Sequence, residues 1–403
     1  MASRTEAVGR SSARKVVRAL PRDHLANVSV LITIISSALV TLGLIMILSA
    51  SFVSSFTNYG SSFLFFNKQL IWVGFGILAF VVFSRIDYRR FRGSGYVLLP
   101  LVMALLVAVL IPGVGISAGG SARWLGLGPL SFQPSELAKF ALVLFAADVF
   151  SRKRESTLED MSHTLIPLVP AMAALTLLVV LQPDLGTTLL LGIIGIGMLF
   201  VAGAPMRYVV SLSGIGALAA TAAALAAPYR RARVMAFLDP WADPLNTGYQ
   251  TIQGLVALGS GGWFGVGLGA SRQKWNYIPN AHTDYIFAIL GEEMGLIGTF
   301  VVLGMFVALA YLGVKTARRA PDRFGMFMAG GITIWISCQA IVNIGAVTAT
   351  LPITGVPLPL VSFGGSSLVI TLIAVGILAN IARQSERRGQ TSRRSKRARR
   401  AGR

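Results

Sequence analysis

Long apolar runs constrain the fold of this sequence more than any other feature. A helix needs about 20 apolar residues to cross the hydrocarbon of a bilayer, and the chain is 54% apolar but only 13% charged. The pattern predicts an all-α, polytopic membrane protein with about ten transmembrane helices, the fourth of them the least apolar. The candidate spans are 28–52, 66–84, 94–112, 135–150, 164–182, 185–203, 207–227, 285–314, 324–348 and 358–382.

The distribution of lysine and arginine predicts the orientation of these spans. Cytoplasmic loops of membrane proteins are enriched in both residues. With both termini in the cytoplasm, 28 of the 36 Lys/Arg fall on that side. The same arrangement leaves a large outer loop between helices seven and eight, over residues 228–281. A loop of that length is usually functional or disordered, and its aromatic residues favour an ordered, functional loop.

The net charge of +20 is concentrated in the two termini, so the sequence divides into three parts. Residues 1–27 form a basic cytoplasmic segment, 28–383 the transmembrane domain, and 384–403 a basic tail expected to be disordered. Basic segments that flank spans are typical of contact with anionic membrane lipids, so we expect no nucleic acid partner. The single cysteine and three scattered histidines exclude an internal disulfide and a Cys/His metal box.

Residues 271–293 are the most informative polar stretch, because they place ionisable side chains at the start of an apolar run. Ionised groups at membrane depth are costly and usually line a wet, functional cavity. The alternative is an interfacial carboxylate that merely reaches water. The ionisable residues of this stretch include Lys274, His282, Asp284, Glu292 and Glu293.

Eight cations fall on the outer side and break the charge rule, which favours an anionic ligand there. The alternative is that they pair with Glu136, Asp239, Asp243 and lipid phosphates. These cations are Lys68, Arg123, Lys139, Arg230, Arg231, Arg233, Arg272 and Lys274.

Four outer segments carry local signals. In 119–139, Ser135 is predicted to cap the fourth helix, and Glu136 is expected to pair with Lys139 one turn later. Asp184 can cap the sixth helix. The glycines of 259–269 are a weak signal for a phosphate cradle. The proline- and glycine-rich residues 351–367 are expected to form the wall of an outward-facing cavity.

Five ordered motifs resemble the SEDS family (shape, elongation, division and sporulation) over about residues 28–383. The matching residues are Phe132-Gln133-Pro134-Ser135-Glu136 with Lys139, Gln182-Pro183-Asp184-Leu185-Gly186, Gly248-Tyr249-Gln250, Ala281-His282-Thr283-Asp284-Tyr285-Ile286-Phe287-Ala288 with Gly291-Glu292-Glu293, and Pro357-Leu358-Pro359-Leu360-Val361-Ser362 with Gly364-Gly365-Ser366-Ser367. Phe363 stands where the family often has tyrosine.

The resemblance implies a peptidoglycan glycosyltransferase of the cytoplasmic membrane that polymerises lipid II. It also implies a class B penicillin-binding protein as partner and Asp284 as the catalytic aspartate. Soft features, including the basic extensions, favour the division branch over the elongation branch, and hence a septal location with other division proteins.

The implied reaction inverts the donor sugar, so it needs a base on the acceptor hydroxyl and stabilisation of the leaving pyrophosphate. Asp284 is the candidate base, and a divalent cation such as Mg²⁺ or Mn²⁺ can share the stabilisation. A lipid II flippase and a non-catalytic division scaffold remain alternatives. The substrate-binding candidates are Arg123, Glu136, Lys139, Arg231, Arg233, Lys274, His282, Ser362 and Ser366.

Overall fold

The computed structural model describes residues 27–118, 121–127, 130–153, 161–226 and 228–401, and the predicted N-terminal basic segment lies almost wholly outside them. In this part the chain forms helices joined by short turns, with three strands between the third and fourth helices. The helices are α1 (Val28–Tyr59), α2 (Leu64–Arg85), α3 (Gly95–Leu110), α4 (Pro134–Ser151), α5 (Met161–Leu181), α6 (Leu185–Val201), α7 (Met206–Ala226), α8 (Pro228–Leu238), α9 (Tyr249–Ser260), α10 (Ile286–Arg319), α11 (Arg323–Val347) and α12 (Gly365–Ala401).

Each predicted span overlaps one of these helices, and α8 and α9 lie in the long connection. Within the described residues, six helices are both long and apolar enough to cross a membrane: α1, α2, α7, α10, α11 and the first part of α12. Helices α3, α5 and α6 contribute shorter apolar segments. The total of ten spans and the side on which the termini lie stay predictions.

The surroundings of helix α4 explain why its sequence is the least apolar of the predicted spans. It carries Glu136, Lys139 and Asp148, yet nearly every residue from Pro134 to Phe150 is buried. It packs against α3, α6 and α11. Protein, not lipid, therefore surrounds this helix: Glu136 pairs with Lys139, and Asp148 accepts hydrogen bonds from the backbone amides of Gly93 and Gly95.

A small antiparallel sheet departs from the all-α prediction. Strands β1 (Gly115–Ala118), β2 (Ser121–Leu127) and β3 (Leu130–Phe132) follow one another in a meander. The sequence separates them by the pairs Gly-Gly and Gly-Pro, residues typical of tight hairpin turns. In residues 119–139 we identify only helix-start signals and predict no strand, although Arg123 and Trp124 lie on β2.

Helix α10 is broken near its start, at Gly295, which has φ 66° and ψ −167°. The glycine-rich turn after α9 inserts there: Val266 N donates to the Glu292 carbonyl (2.9 Å), and Leu296 N donates to the Gly262 carbonyl (2.8 Å). A Cβ at position 295 would lie 2.3 Å from the Gly265 nitrogen, so only glycine fits. Non-helical backbone inside a membrane protein survives where such partners satisfy it.

Helix α12 continues to Ala401, whereas the tail from residue 384 was expected to be disordered. Contacts hold its first turns beyond that point. Glu386 Oε1 accepts a hydrogen bond from Val28 N (2.5 Å), and Ser385 Oγ donates to the Arg319 carbonyl (2.5 Å). Anchoring of this kind lets a helix extend where composition alone predicts disorder.

Helix α2 connects two chemically different ends of the bundle. Its first turn carries Phe65, which contacts His282 beside Asp284 (ring centroids 4.6 Å apart). Its last residue is Arg85, near the turn between α10 and α11. We call these the Asp284 end and the basic end. Arg85 lies 20 positions after Phe65, a rise of about 30 Å at 1.5 Å per residue, which is the thickness of a bilayer's hydrocarbon.

Candidate active site at the Asp284 end

Asp284 is half-buried just before α10, and its backbone is fixed by α11. Asn343 Nδ2 donates to the Asp284 carbonyl and to the Val356 carbonyl, each at 2.8 Å. The hydroxyl of Thr283 donates to Asp284 Oδ1 at 2.9 Å. One carboxylate oxygen therefore has a partner within the protein. Asn343 also connects the backbone of Asp284 to that of Val356, in the part of the expected cavity wall that precedes α12.

Burial raises the pKa of the Asp284 carboxyl above its ordinary range. Hydrogen bonds from Thr283 and from its own amide, and the positive charge of Arg233, oppose this shift without cancelling it. A raised pKa gives a carboxylate a greater affinity for a proton, which suits a general base. The coupling also places the predicted residue Arg233 within electrostatic reach of Asp284.

His282 lies in an aromatic cluster beside Asp284. Its ring contacts Phe65 (4.6 Å) and Phe363 (5.5 Å between centroids), and Phe363 N donates to the His282 carbonyl (2.9 Å). Burial lowers the pKa of His282 to about 4, so the imidazole is neutral at pH 7. The side chain of Phe363 packs here through its ring, against Phe65 and His282.

Two amides on α11 support this site, and the sequence analysis did not identify them. Gln339 and Asn343 lie one turn apart, and Gln339 Nε2 donates to the Pro357 carbonyl at 3.0 Å. Gln339 Oε1 accepts from Lys139 Nζ and from Trp335 Nε1, both at 2.8 Å. Polar amides spaced four apart inside an otherwise apolar span were the available signal, because buried amides must find partners.

The expected pair of Glu136 and Lys139 is present and fully enclosed. Lys139 Nζ lies 2.9 Å from Glu136, and the lysine has no exposed surface. Its Nζ also faces the Trp335 ring at 5.4 Å from the centroid. These partners favour a structural part for both residues, while their predicted contact with substrate stays untested.

Of the two predicted helix caps, Ser135 and Asp184, only Asp184 is a cap. Ser135 does not cap α4, as we had predicted: Gln133 is the N-cap residue, Pro134 begins the helix, and Ser135 Oγ is buried without a partner. Asp184 caps α6 as expected, accepting from Thr187 N at 3.1 Å.

Ser362 and Ser366 are buried acceptors for Leu358 N (2.8 Å) and Gln133 N (3.2 Å). Both serines therefore fix backbone at the Asp284 end.

A second buried pair fastens the long connection to α1 and α10. Lys274 Nζ lies 3.9 Å from Glu293 Oε1, which also accepts from Ser49 Oγ at 2.5 Å. Glu292 accepts from Ser271 Oγ (2.5 Å) and Arg272 N (2.9 Å). The nearby glycines do not form the phosphate cradle suggested by composition, because amides such as Val266 N are bonded to α10 carbonyls.

The remaining predicted cations lie nearer the surface. Arg231 and Arg233 are exposed on α8. Arg123 on β2 is partly buried; its Nε donates to the Gln182 carbonyl (3.1 Å) and its Nη2 to the Pro183 carbonyl. A cavity of about 340 Å³ lies beside these two carbonyls, between the ends of α3 and α5. Ala122, the residue before Arg123, lines this cavity together with Gln182 and Pro183.

The fold and this site together define a helical membrane protein with a half-buried, electrostatically tuned carboxylate at one end. Residues 29–387 match the family model FTSW_RODA_SPOVE, described as a cell cycle protein. The chain belongs to this family.

Relatives and solved structures agree with that assignment. Stage V sporulation protein E of Bacillus subtilis is 44% identical over 88% of this chain and 97% of its own length. A probable peptidoglycan glycosyltransferase FtsW of Mycobacterium tuberculosis is 44% identical over 88% of this chain and 67% of its own. The structure of Thermus thermophilus RodA superposes with a TM-score of 0.66 at 27% identity, covering 90% of this chain and 98% of that one.

A further solved chain comes from a study of how a peptidoglycan synthase complex coordinates polymerisation and crosslinking. It superposes with a TM-score of 0.71 at 29% identity, covering 88% of this chain and 97% of the other. The helical arrangement described above is therefore shared with proteins of cell-wall synthesis.

Proposed function

We propose that this chain is a peptidoglycan glycosyltransferase that polymerises lipid II at the outer face of the cytoplasmic membrane, with Asp284 as general base. The observation that carries the proposal is the half-buried Asp284 carboxylate with its raised pKa beside Arg233. Several relatives bear the name probable peptidoglycan glycosyltransferase FtsW, which supports the enzyme class.

In the proposed reaction, the acceptor sugar hydroxyl attacks the anomeric carbon of the lipid-linked donor. Asp284 accepts the hydroxyl proton as the new C–O bond forms, and undecaprenyl pyrophosphate leaves with the electrons of the broken bond. Inversion at the anomeric carbon converts an α-linked donor into a β-1,4 linkage. Asn343 and Thr283 hold the base in place during the transfer.

The leaving pyrophosphate needs positive charge around it. We assign this part to Arg233, whose charge acts on Asp284, and to Arg231 and Arg123, neither of which is fully buried. Lys139 and Lys274 already face buried glutamates and instead keep the frame rigid. Among the described residues no cluster of three His, Cys, Asp or Glu fits a resident metal. A divalent cation that takes part in the reaction would be carried by the pyrophosphate itself.

The proposed partner is a class B penicillin-binding protein, whose transpeptidase activity crosslinks the new strands. The similarity to a chain studied within a peptidoglycan synthase complex supports this pairing. Septal synthesis during cell division is the proposed setting, supported by the relatives named FtsW and by the description of the family as a cell cycle protein. A role in elongation is the alternative within the same chemistry.

The proposal is tested by Asp284→Asn, which preserves size and removes the base. We expect polymerisation of labelled lipid II by the purified chain with its partner to fall about 100-fold or more, the range for loss of a general base. Asp239→Asn is the matched control, because Asp239 is exposed in the same connection and caps only a short turn. It should retain normal activity.

Near-normal glycan synthesis by Asp284→Asn would remove Asp284 from the mechanism. Translocation of labelled lipid II across proteoliposomes, without polymer formation by the wild type and its partner, would instead favour a flippase. Monodisperse purification and unchanged partner binding of the variant show that loss of activity is not loss of fold.

The pH profile gives a second test of the same assignment. Asp284 must be deprotonated to act, and its pKa is raised from the ordinary value, about 3.9 for an aspartate. The rate should therefore climb with pH through that raised pKa and then level off. His282, with a pKa of about 4, should add no inflection near 6.5. A rate that falls steadily from pH 5 to 8 would contradict a carboxylate base.

A further inference from the structure

The glycine-rich turn after α9, residues 261–269, presents large apolar side chains at the surface of the protein. Trp263, Phe264 and Leu268 are each more than half exposed, and Val266 between them is exposed as well. Neither the proposed reaction nor the site around Asp284 uses these side chains. A cluster of exposed apolar groups marks a surface that contacts lipid or another protein.

The backbone of this turn is fixed against α10, beside the break at Gly295. Ile297 N donates to the Trp263 carbonyl (3.2 Å), and Gly267 N donates to the Glu293 carbonyl (3.1 Å). Because these bonds hold both sides of the turn, its exposed side chains belong to a surface of defined shape.

The exposed surface of the turn is continuous with the exposed face of α10. Every residue of α10 from 286 to 293 is buried, whereas Leu296 and Ile297 are exposed. Exposed apolar side chains then continue along the helix to Val314. Since α10 is long and apolar enough to cross a membrane, this face is the one that lipid can reach, and Trp263 lies beside its first residues.

The turn also lies at the level of a membrane surface. Helix α10 ends at Arg319, and the following Pro321 lies near Arg85 at the basic end. Ile297 precedes Arg319 by 22 positions, a rise of about 33 Å at 1.5 Å per residue. The hydrocarbon of a bilayer is about 30 Å thick. Trp263, which is bonded to Ile297, therefore lies near the opposite hydrocarbon boundary, at the Asp284 end.

We propose that Trp263, Phe264 and Leu268 insert into the lipid leaflet at the Asp284 end and anchor the long connection at the headgroup level. Tryptophan is enriched at this boundary, because its ring is largely apolar and carries one polar N–H. Continuity with the lipid-facing side of α10 favours lipid over a soluble partner protein. The segment 271–284, which leads to Asp284, follows the turn directly, so the anchor fixes one end of it.

The test compares two positions of nearly equal exposure in the long connection. Phe264 is 83% exposed and lies beside α10. Leu245 is 82% exposed and lies in a turn with the polar residues Asp243 and Asn246. Phe264→Cys and Leu245→Cys are each made in the full chain with Cys338→Ala, because Cys338 is the sole native cysteine.

Each variant is labelled at its new thiol with nitrobenzoxadiazole and reconstituted into phosphatidylglycerol nanodiscs. The fluorescence of the label is quenched in separate samples by lipids with a nitroxide near the headgroup, by lipids with a nitroxide at the end of the acyl chain, and by iodide in the water. The two lipid probes together give the depth of the label, and iodide reports its contact with water.

We expect the label at position 264 to lie about 5–10 Å below the headgroup boundary, the depth typical of interfacial segments. The nitroxide near the headgroup should quench it more than the distal one, and iodide should quench it little. The label at position 245 should be quenched strongly by iodide and little by either lipid. Trp263→Cys, labelled in the same way, should agree with position 264, so the result does not depend on one variant.

Three outcomes overturn the proposal. Equal quenching by iodide at positions 264 and 245 would place the turn in water. Protection of position 264 from iodide and from both lipids would show that protein, such as a second copy of the chain, covers it. Stronger quenching by the distal nitroxide would place the turn near the middle of the bilayer and not at its boundary. The measurement does not use polymerisation, so its outcome is independent of the proposed reaction.

Discussion

The two ends of this bundle differ in the burial and pairing of their charged side chains. At the Asp284 end, Lys139 is wholly buried against Glu136, and Lys274 is buried near Glu293. At the basic end, the arginines outnumber the carboxylates and Arg89 and Asp322 remain partly exposed. Buried charges require their partners, whereas exposed ones are screened by water. The Asp284 end should therefore be intolerant of single changes and the basic end tolerant of them.

The largest effect is expected for Glu136→Ala, which leaves the Lys139 ammonium buried without its carboxylate. Removal of one partner from a buried pair costs about 3–5 kcal/mol of folding free energy. We expect a large fall in the thermal unfolding midpoint of the detergent-purified protein and in its yield. Gln339 still accepts from Lys139, but a neutral amide does not balance the charge.

The double variant Glu136→Leu with Lys139→Met is the control for this prediction. Apolar replacement of a whole buried pair is often neutral, so much of the stability should return. If Glu136→Ala unfolds at the wild-type temperature, then the pair is not the support that the structure indicates. If the double variant is stable but inactive, Lys139 has a direct part in catalysis.

The next effect is expected at Asn343, which joins the Asp284 and Val356 carbonyls. Asn343→Ala removes both donors and leaves buried acceptors unpaired, at a cost of about 2 kcal/mol. Because Asp284 loses its anchor, polymerisation should fall about tenfold, a modest share of the loss from removing the base itself.

Asn246→Ala provides the comparison for Asn343, since its amide donates to Asp243 on the exposed surface (2.9 Å). That variant should change neither unfolding nor the rate measurably. An Asn343→Ala protein with unaltered kinetics would show that Asp284 is positioned without α11.

Much of the fold could be predicted because hydropathy records contact with lipid. Each predicted span overlaps a helix, including α7, which is exposed along nearly its whole length. The small sheet and the break at Gly295 could not be predicted in the same way. The strands pair with near neighbours along the chain, such as Leu127 with Leu130, but hydropathy does not record that pairing. The break at Gly295 depends on more distant backbone partners, such as Val266 with Glu292, which a single sequence does not record.

Only part of the candidate site could be predicted from the sequence, for a related reason. Ionisable residues in apolar surroundings, such as Asp284 and the Glu136–Lys139 pair, stand out in the sequence. The amides Gln339 and Asn343 do not, because an uncharged polar residue inside a span is common and its partners lie elsewhere. The prediction for Ser135 was wrong because α4 begins at Pro134, two residues earlier than a cap at Ser135 implies.

A smaller effect is expected at Gly355, in the wall facing Asp284. Its φ is 70°, a conformation that strains residues with a Cβ, and an added Cβ would lie 3.9 Å from Asp284 Oδ2. Gly355→Ala should cost about 1 kcal/mol of stability from backbone strain. Gly74→Ala is the control, since position 74 lies within α2 with open space around it. If Gly355→Ala is as stable as the wild type, the backbone around position 355 must relax to accommodate the added methyl group.

The smallest effect is expected at the basic end, for Asp322→Asn. Burial raises the pKa of Asp322, but hydrogen bonds from the Gly325 amide, Arg89 and Tyr88 outweigh that effect and lower it overall. A lowered folded-state pKa contributes stability above the unfolded value, about 3.9 for aspartate, and that stability is lost as pH falls through the folded value. Because the pair with Arg89 is partly exposed and therefore screened by water, the contribution should be at most about 1 kcal/mol. Unfolding midpoints of wild type and variant should therefore differ slightly at pH 7 and converge at low pH. A loss at pH 7 as large as that of Glu136→Ala would show that the two ends do not differ in their tolerance of charge changes.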